Sequence, residues 1–528
     1  MNISLLPQAV DFAAERFPDH EAVRYYDDSI SYSDLATKTN RLARFLYDQG
    51  VRRGDRVGIY CFKSIEAMIA LWGIMKAGAV YVPIDPLSPS SRVKAILLDC
   101  NIKHLITDPE KRSAVKEVVE NGVELNTIIG VPSGQDSLSD KCATWEDVFN
   151  TPGESQLQKL QVIEQDLAYI IYTSGSTGEP KGIMHTHHSG LSYAQWTVEE
   201  YNLTQHDRIA NHAPFHFDIS LFDIFGGAIA GASVVLVPKE VTLFPANFSQ
   251  LLQDERISVI FTVPFAFIQL SVRGGLDQRD LSALRWVIFG GEPFPPKHLR
   301  TLMDQIPGSQ FSNIYGPAEV NGVTFFHVPP IPENSMEPIP IGKMCSFAQS
   351  LILDEHDEIV SPGNTGEIVI RSPSMMQGYW GRTDLNSRAF YRREAAPEYF
   401  ELYYRTGDLV KMLPDGNMLF AGRKDRQIKT RGYRVEMDEV EAALISHPGV
   451  EEAATFVIQD DDGNNFIHAA VIPKADEPLS ETFLSTHLTQ ILPSYAIPVK
   501  YHIRQTFPRT TSGKVSRRLL QREVMGME

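Results

Sequence analysis

Cysteine is scarce and scattered in this chain. The four residues Cys61, Cys100, Cys142 and Cys345 form no C-x-x-C pair and no His/Cys ligand spacing. That excludes a disulfide framework or a zinc-ribbon site and fits a reducing cytoplasm. Positive charge is also short. The 49 Lys and Arg stand against 66 Asp and Glu, a formal net charge of −17, which speaks against nucleic acid or an anionic membrane as partner. No apolar run is long enough to span a bilayer, residues 226–238 being the nearest and too short. A basic-then-apolar leader is missing, since Pro7, Asp11 and Glu15 interrupt the first residues. Internal repeats and low-complexity tracts are absent. With 43% hydrophobic and 22% charged residues, the 528-residue chain reads as an ordinary globular protein of several structural units.

What the chain does have is a dense loop. Residues 172–182 read YTSGSTGEPKG and follow the apolar run 167–171, LAYII, which predicts a buried strand. Glycines at 175, 178 and 182, hydroxyls at Thr173, Ser174, Ser176 and Thr177, and the cation of Lys181 suit a loop that presents donors to phosphate oxygens. The spacing is not that of a Walker A loop.

Around this loop, strand and helix patterns alternate. A helix capped by Ser33 carries Leu35, Leu42, Leu46 and Tyr47 and stops at Gly50. Strands are expected at 56–61, 80–84, 104–107, 232–237, 257–263 and 286–289, with helices at 64–76 and 92–98. The alternation predicts an α/β fold of parallel-type sheets with flanking helices. Residues 130–153 read as a surface connection, and the five prolines of 329–340 exclude a helix there. Short β-type runs over 350–369 suggest a small β-rich subdomain. Composition changes at 422. The expected organisation is an N-terminal core, 1–424, including the β-rich part at about 340–424, and a small mobile α+β C-terminal domain, 425–528.

The loop resembles the phosphate loop of the adenylate-forming enzymes: acyl- and aryl-CoA ligases, luciferases and the adenylation domains of nonribosomal peptide synthetases. NIYGPAE (313–319), YRTGD (404–408), GRKDRQIKTRGYRVE (422–436) and PRTTSGK (508–514) extend the resemblance in the family's order over nearly the whole chain. It implies attack of a carboxylate on the α-phosphorus of ATP, giving an acyl-adenylate and pyrophosphate, with Mg²⁺ present. It further implies that Thr173, Ser174, Gly175, Ser176, Thr177, Gly178 and Lys181 face phosphates. Gly291, Glu292, Asn313, Tyr315 and Gly316 would line the nucleotide site, with Tyr315 against adenine. By the same resemblance Asp408 takes the ribose hydroxyls with Arg423 nearby, and Glu319 holds the metal. Lys514 would bridge the substrate carboxylate and α-phosphate. Asp425 would be the hinge about which the small domain turns, bringing Lys429 and Gly432 in for the thiol step. One departure is Ala318, where the family usually has Thr; one hydrogen bond to a charged group is worth roughly 1.5–3 kcal/mol.

Asp218, between Phe217 and Ile219, is a carboxylate in an apolar setting and needs a cation or donors to offset desolvation. Amino-acid-activating members place an aspartate here for the substrate ammonium. The implied pocket is Ile219, Phe222, Phe265, Ile288, Gly290, Ile314, Gly322 and Val323, which adds no second charge. An apolar or cyclic amino acid fits, proline first, a small aliphatic or β-amino acid otherwise. Little chain follows Lys514, so the expected thiol acceptor is a separate phosphopantetheine carrier protein or coenzyme A. The alternatives are an acyl- or aryl-CoA ligase and a non-catalytic nucleotide binder. His185, His187 and His188 lack further partners at metal-ligand spacing and read as structural; on a strand the first two would share a face.

Overall fold

The structure, a computed structural model, describes residues 3–134, 138–153, 160–175, 179–460, 464–474, 479–510 and 514–526. The chain divides into two compact units. The first comprises Met1–Pro86, Leu97–Tyr172 and Gly182–Lys424; the second comprises Leu87–Ile96, Thr173–Lys181 and Asp425–Glu528.

Among the described residues, three sheets build the first unit. The largest orders its strands Lys343–Met344, Thr324–His327, Gln310–Tyr315, Trp286–Gly290, Val259–Thr262, Arg208–Asn211, Ser233–Leu236, Glu21–Tyr25 and Asp28–Ser31. Its central strands are parallel. They read VIFT, WVIFG and SVVL, as strands covered on both faces should. A second sheet runs Gly378–Tyr379, Lys181–Thr186, Leu167–Thr173, Val80–Pro83, Arg56–Tyr60, His104–Thr107, Thr127–Ile129 and Cys142–Ala143. The third is antiparallel and lies in the expected β-rich part. Its strand Tyr399–Met412 pairs with Thr365–Arg371, Phe390–Ala396 and Met418–Arg423. The expected α/β architecture is the one observed. No helix among the described residues is long and apolar enough to cross a membrane.

Helix boundaries follow local chemistry. The helix Tyr32–Asp48 starts two residues earlier than expected. Ser31, not Ser33, is its cap, accepting from the Asp34 amide. Ile65–Lys76 is capped by Ser64 and ends before Gly78, whose φ of +72° only a glycine adopts easily. This helix is buried on every side from Ala67 onward. A Cβ at Gly73 would stand 2.6 Å from Leu42, so the glycine lets the two helices touch. Residues 130–153 are more than a connection, since they contain the edge strand Cys142–Ala143 and the helix Trp145–Phe149. Thr144 closes that helix with a reciprocal capping box, a signal set by Asp147 three residues on.

In the second unit the hairpin Gln427–Thr430/Tyr433–Glu436 precedes the helix Met437–Ile445. The sheet Val450–Gln459, Asn465–Pro473 and Lys500–Ile503 comes next, with the helices Glu481–Thr489 and Arg517–Val524.

Lys76 is a costly group to bury in the first unit. Its side chain is fully buried at the end of an apolar helix and is matched by Asp11 and Asn40 Oδ1, the latter at 2.9 Å. Burial alone pulls its ammonium pKa down. Removing one partner of such a pair strands the other charge. Asp11→Ala is therefore expected to lower stability by about 3 kcal/mol. Asp11→Ala with Lys76→Met should recover most of that loss. Urea unfolding followed by tryptophan fluorescence checks this in the first unit, where all five tryptophans lie.

Candidate active site

Parallel strands bring their C-terminal ends to one edge, and Gly290, Gly291, Glu292, Tyr315 and Gly316, named from the sequence, lie at or just beyond the ends of two of them. After Trp286–Gly290 the chain turns through Gly291, with φ +91°, to Glu292. A Cβ at Gly290 would stand 2.4 Å from the Ile314 carbonyl oxygen, so only glycine fits beside the neighbouring strand. Glu292 accepts the Phe265 amide at 3.0 Å, tying this turn to the start of the helix Pro264–Arg273. Asn313, on the next strand, donates to the Pro340 carbonyl at 2.8 Å.

After Gln310–Tyr315 the chain folds back tightly. A Cβ at Gly316 would overlap the Asn321 carbonyl. Two contacts fix the loop between. His185 Nε2 is 2.8 Å from the Ala318 carbonyl, which can only accept, so Nε2 carries the proton. Tyr379 Oη donates to Glu319 Oε1 at 2.8 Å, and Glu319 is fully buried. The His185 imidazole is buried and stacked on Tyr169; burial lowers its pKa to about 4. His187 does not share a strand face with it. The strand ends at Thr186, and His187 opens the helix His187–Glu200, its Nδ1 accepting the Leu6 amide at 3.3 Å.

Asp408 follows Gly407, whose φ is +71°. Its carboxylate is 3% exposed, accepts Tyr315 Oη at 2.6 Å on Oδ2, and is paired on Oδ1 with Arg423 from the opposite strand. Burial, and then the Asp408 charge, hold the Tyr315 phenol well above its usual range. Thus Tyr315, read from sequence as an adenine face, also positions Asp408.

Asp218 is half-buried in the turn before a short π-helix, Phe222–Gly226. The phenols of Tyr169 and Tyr193, both raised chiefly by burial, also feel its charge. Both ends of the segment carrying it are held by one buried polar cluster. Lys63 Nζ donates to the Asn211 and His212 carbonyls at 2.8 and 3.0 Å. Asn211 Nδ2 donates to Asp223 Oδ2 at 3.0 Å. Burial lowers Lys63 to about 7 and raises Asp223 well above the carboxylate range. Phe222, Ile288, Ile314 and Val323 are buried, while Phe217, Ile219 and Phe265 are half-buried. Gly322 leaves no room for a side chain, with Ile314 Cγ2 and Tyr193 Cε2 at 2.7 and 2.9 Å from its Cβ position.

The remaining residues named from the sequence lie in the second unit. Thr173 Oγ1 is buried with no hydrogen-bond partner among the described residues. Ser174 Oγ donates to the Arg434 carbonyl at 3.1 Å, and Lys181 Nζ is 4.0 Å from Glu436. Gly175 is buried; Ser176, Thr177 and Gly178 lie outside the described residues. Lys429 sits on the first hairpin strand, Gly432 makes its turn at φ +82°, and Asp425 Oδ1 accepts the Gln427 amide. Lys514 is exposed, its carbonyl accepting the Thr510 amide at 2.8 Å. Among the described residues no group of three or more His, Cys, Asp or Glu forms a metal cluster. Sequence reasoning missed Tyr379, Lys63 and Asp223. Asp223 had the signal that found Asp218, a carboxylate in the apolar run LFDIFG.

The AMP-binding enzyme family matches residues 10–380, and the AMP-binding enzyme C-terminal domain matches 439–514. The chain is 32% identical over 527 residues to an L-proline–[L-prolyl-carrier protein] ligase of Pseudomonas fluorescens, covering 99% of this chain and 100% of that one. It is also 32% identical to part of bacitracin synthase 1 of Bacillus licheniformis, covering 96% of this chain and 9% of that protein. Its fold matches the Vibrio cholerae adenylation domain AlmE, solved with glycyl-adenosine-5′-phosphate, at TM-score 0.84 and 22% identity over 100% and 99% of the two chains.

The neutral His185 makes the loop at Ala318 sensitive to acid. The unfolded chain takes up this proton near pH 6.5, the folded chain only near 4. Its contribution is whole above pH 6.5 and is lost as pH falls toward 4, by about 2 kcal/mol between pH 7 and 5. His185→Gln, which keeps a donor without a titrating group, is expected to lose less stability over that interval, read from urea midpoints at the two pH values.

Proposed function

Because this chain belongs to the AMP-binding enzymes, AMP-forming ligases, we propose that it activates an amino acid, L-proline, as the aminoacyl-adenylate. It then transfers the aminoacyl group to the phosphopantetheine thiol of a separate carrier protein. The observation that carries this reading is Asp218, a carboxylate on a segment held by a buried clamp, beside walls that supply no other charge. A substrate ammonium is the counter-ion that suits such a carboxylate. The match to a proline-loading ligase over its whole length supports the same substrate. The aromatic rings of Phe222 and Phe265, and glycines at 290 and 322 that admit no side chain, support a small apolar substrate such as proline.

In the first step a substrate carboxylate oxygen forms a bond to the α-phosphorus, and the bond from that phosphorus to the bridging oxygen breaks, releasing pyrophosphate. The barrier is the approach of two anions and the charge on the five-coordinate phosphorus. Asp408, held by Tyr315 and Arg423, accepts the ribose hydroxyls. Tyr315 lies against adenine, with Gly291, Glu292, Asn313 and Gly316 lining the same site. Thr173 and its loop neighbours, with Lys181, face the phosphates; the Thr173 hydroxyl, without a partner among the described residues, suits such an acceptor. Lys514 bridges the carboxylate and α-phosphate. Glu319 fits Mg²⁺, being a buried hard-oxygen ligand with one oxygen fixed by Tyr379. The metal would neutralise phosphate charge. In the second step the thiol sulfur attacks the acyl carbon, AMP leaves, and the thiol proton passes to solvent. Asp425 is the pivot between the steps, and Lys429 with Gly432 serves the second. The scattered cysteines support action in the cytoplasm.

Pyrophosphate exchange into ATP across a panel of amino acids tests this reading. Proline-dependent exchange is expected; exchange seen only with fatty or aromatic acids would replace it with an acyl- or aryl-CoA ligase. Lys514→Ala is expected to slow exchange about 10²- to 10³-fold while ATP binding persists. Asp218→Ala should raise the amino-acid KM on the order of 10²-fold; an unchanged KM removes the ammonium role.

A further inference from the structure

Glu367 sits in the strand Thr365–Arg371 with its side chain only 5% exposed. A carboxylate so placed needs donors on both oxygens. Oε1 accepts the Gly407 amide at 3.1 Å, and Oε2 accepts Arg405 Nη1 and Lys424 Nζ, each at 3.1 Å. The same turn is closed from the other side, where the Lys424 amide donates to the Gly407 carbonyl at 2.9 Å. One carboxylate therefore holds two points. The first is the left-handed glycine that aims Asp408. The second is Lys424, the last residue of the first unit, one bond before the chain enters the second at Asp425.

We propose that Glu367 is a positioning residue for both half-reactions, through Gly407 for the ribose-binding aspartate and through Lys424 for the fixed end of the pivot. This rests on the reading that Asp425 is the pivot. A rotation is reproducible only if one side of its axis is rigid. Arg423 is tied to Asp408 and Lys424 to Glu367, so the two residues before Asp425 are both anchored and the turn is confined to Asp425 and the residues beyond it. Lys424 is not among the residues proposed to bind the nucleotide, and its side chain is 38% exposed, so its loss is tolerable to the fold.

Two half-reactions separate the roles: pyrophosphate exchange for the first, and thioester formation with phosphopantetheine as the free thiol for the second. The full-length chain is used with the amino acid that gives the strongest exchange. Lys424→Met is expected to leave exchange and the ATP KM within about two-fold and to slow thioester formation roughly five-fold, with Lys424→Arg restoring it. Glu367→Gln, which keeps an acceptor for Gly407 but loses the charge, is expected to raise the ATP KM and slow the thiol step together. Equal loss of both half-reactions in Lys424→Met, or no loss in either, overturns the anchor. Asp425→Pro distinguishes that failure from failure of the pivot itself. If Asp425→Pro leaves thioester formation at the parent rate, the pivot reading falls. If it blocks thioester formation while Lys424→Met changes nothing, only the anchor falls.

Discussion

A carboxylate inside a sheet must be matched or expelled, and the pair Asp408–Arg423 is where this chain meets that demand most sharply. The strand Tyr399–Met412 carries Asp408 into an environment that leaves it 3% exposed, and Arg423 arrives in register from the facing strand. Tyr315 comes from a different sheet and donates to the second oxygen. Two consecutive strands and a third from 93 residues away are thereby fixed to one small group. Removing any one leaves desolvated charge, which is why the surrounding turn, with Gly407 and Thr406, is so closely hydrogen-bonded.

The same logic repeats beneath Asp218. Its segment is pinned at its two ends by Lys63, Asn211 and Asp223. The amino-acid site proposed above would thus rest on a buried polar base and have apolar walls. On that proposal specificity and positioning fall to different residues, so the wall could vary while the base keeps the carboxylate in place.

Much of the fold could be read from the chain because its parallel strands are uniform apolar runs between helices with clear stops. The helix from Ile65 was legible to within one residue, Ser64 being its cap rather than its first helical residue and the following glycine ending it as expected. The cap at Ser31 was not, because Ser31 and Ser33 offer the same hydroxyl and only the end of the preceding strand decides between them. The helix Trp145–Phe149 escaped notice for a related reason. Five residues are too few for periodicity, and its capping box sits in a polar stretch that resembles a loop. For the site, motifs supplied the residue names. They did not supply the links between them: Tyr315 to Asp408, Tyr379 to Glu319, His185 to Ala318. Such links join positions 60 to 133 residues apart and depend on strand register, which a local pattern does not encode.

The closed glycines at 290 and 322 have an evolutionary consequence. With neighbouring atoms 2.4 to 2.9 Å from where a methyl would stand, neither position admits even alanine without displacing a strand or a ring. For the amino-acid site proposed above, drift in what is accepted is therefore channelled through the larger side chains already there. At that proposed site, trimming Phe222 or Val323 would open space by single steps, while adding bulk at 290 or 322 demands concerted change, so descendants of this chain would reach bulkier acids more readily than smaller ones.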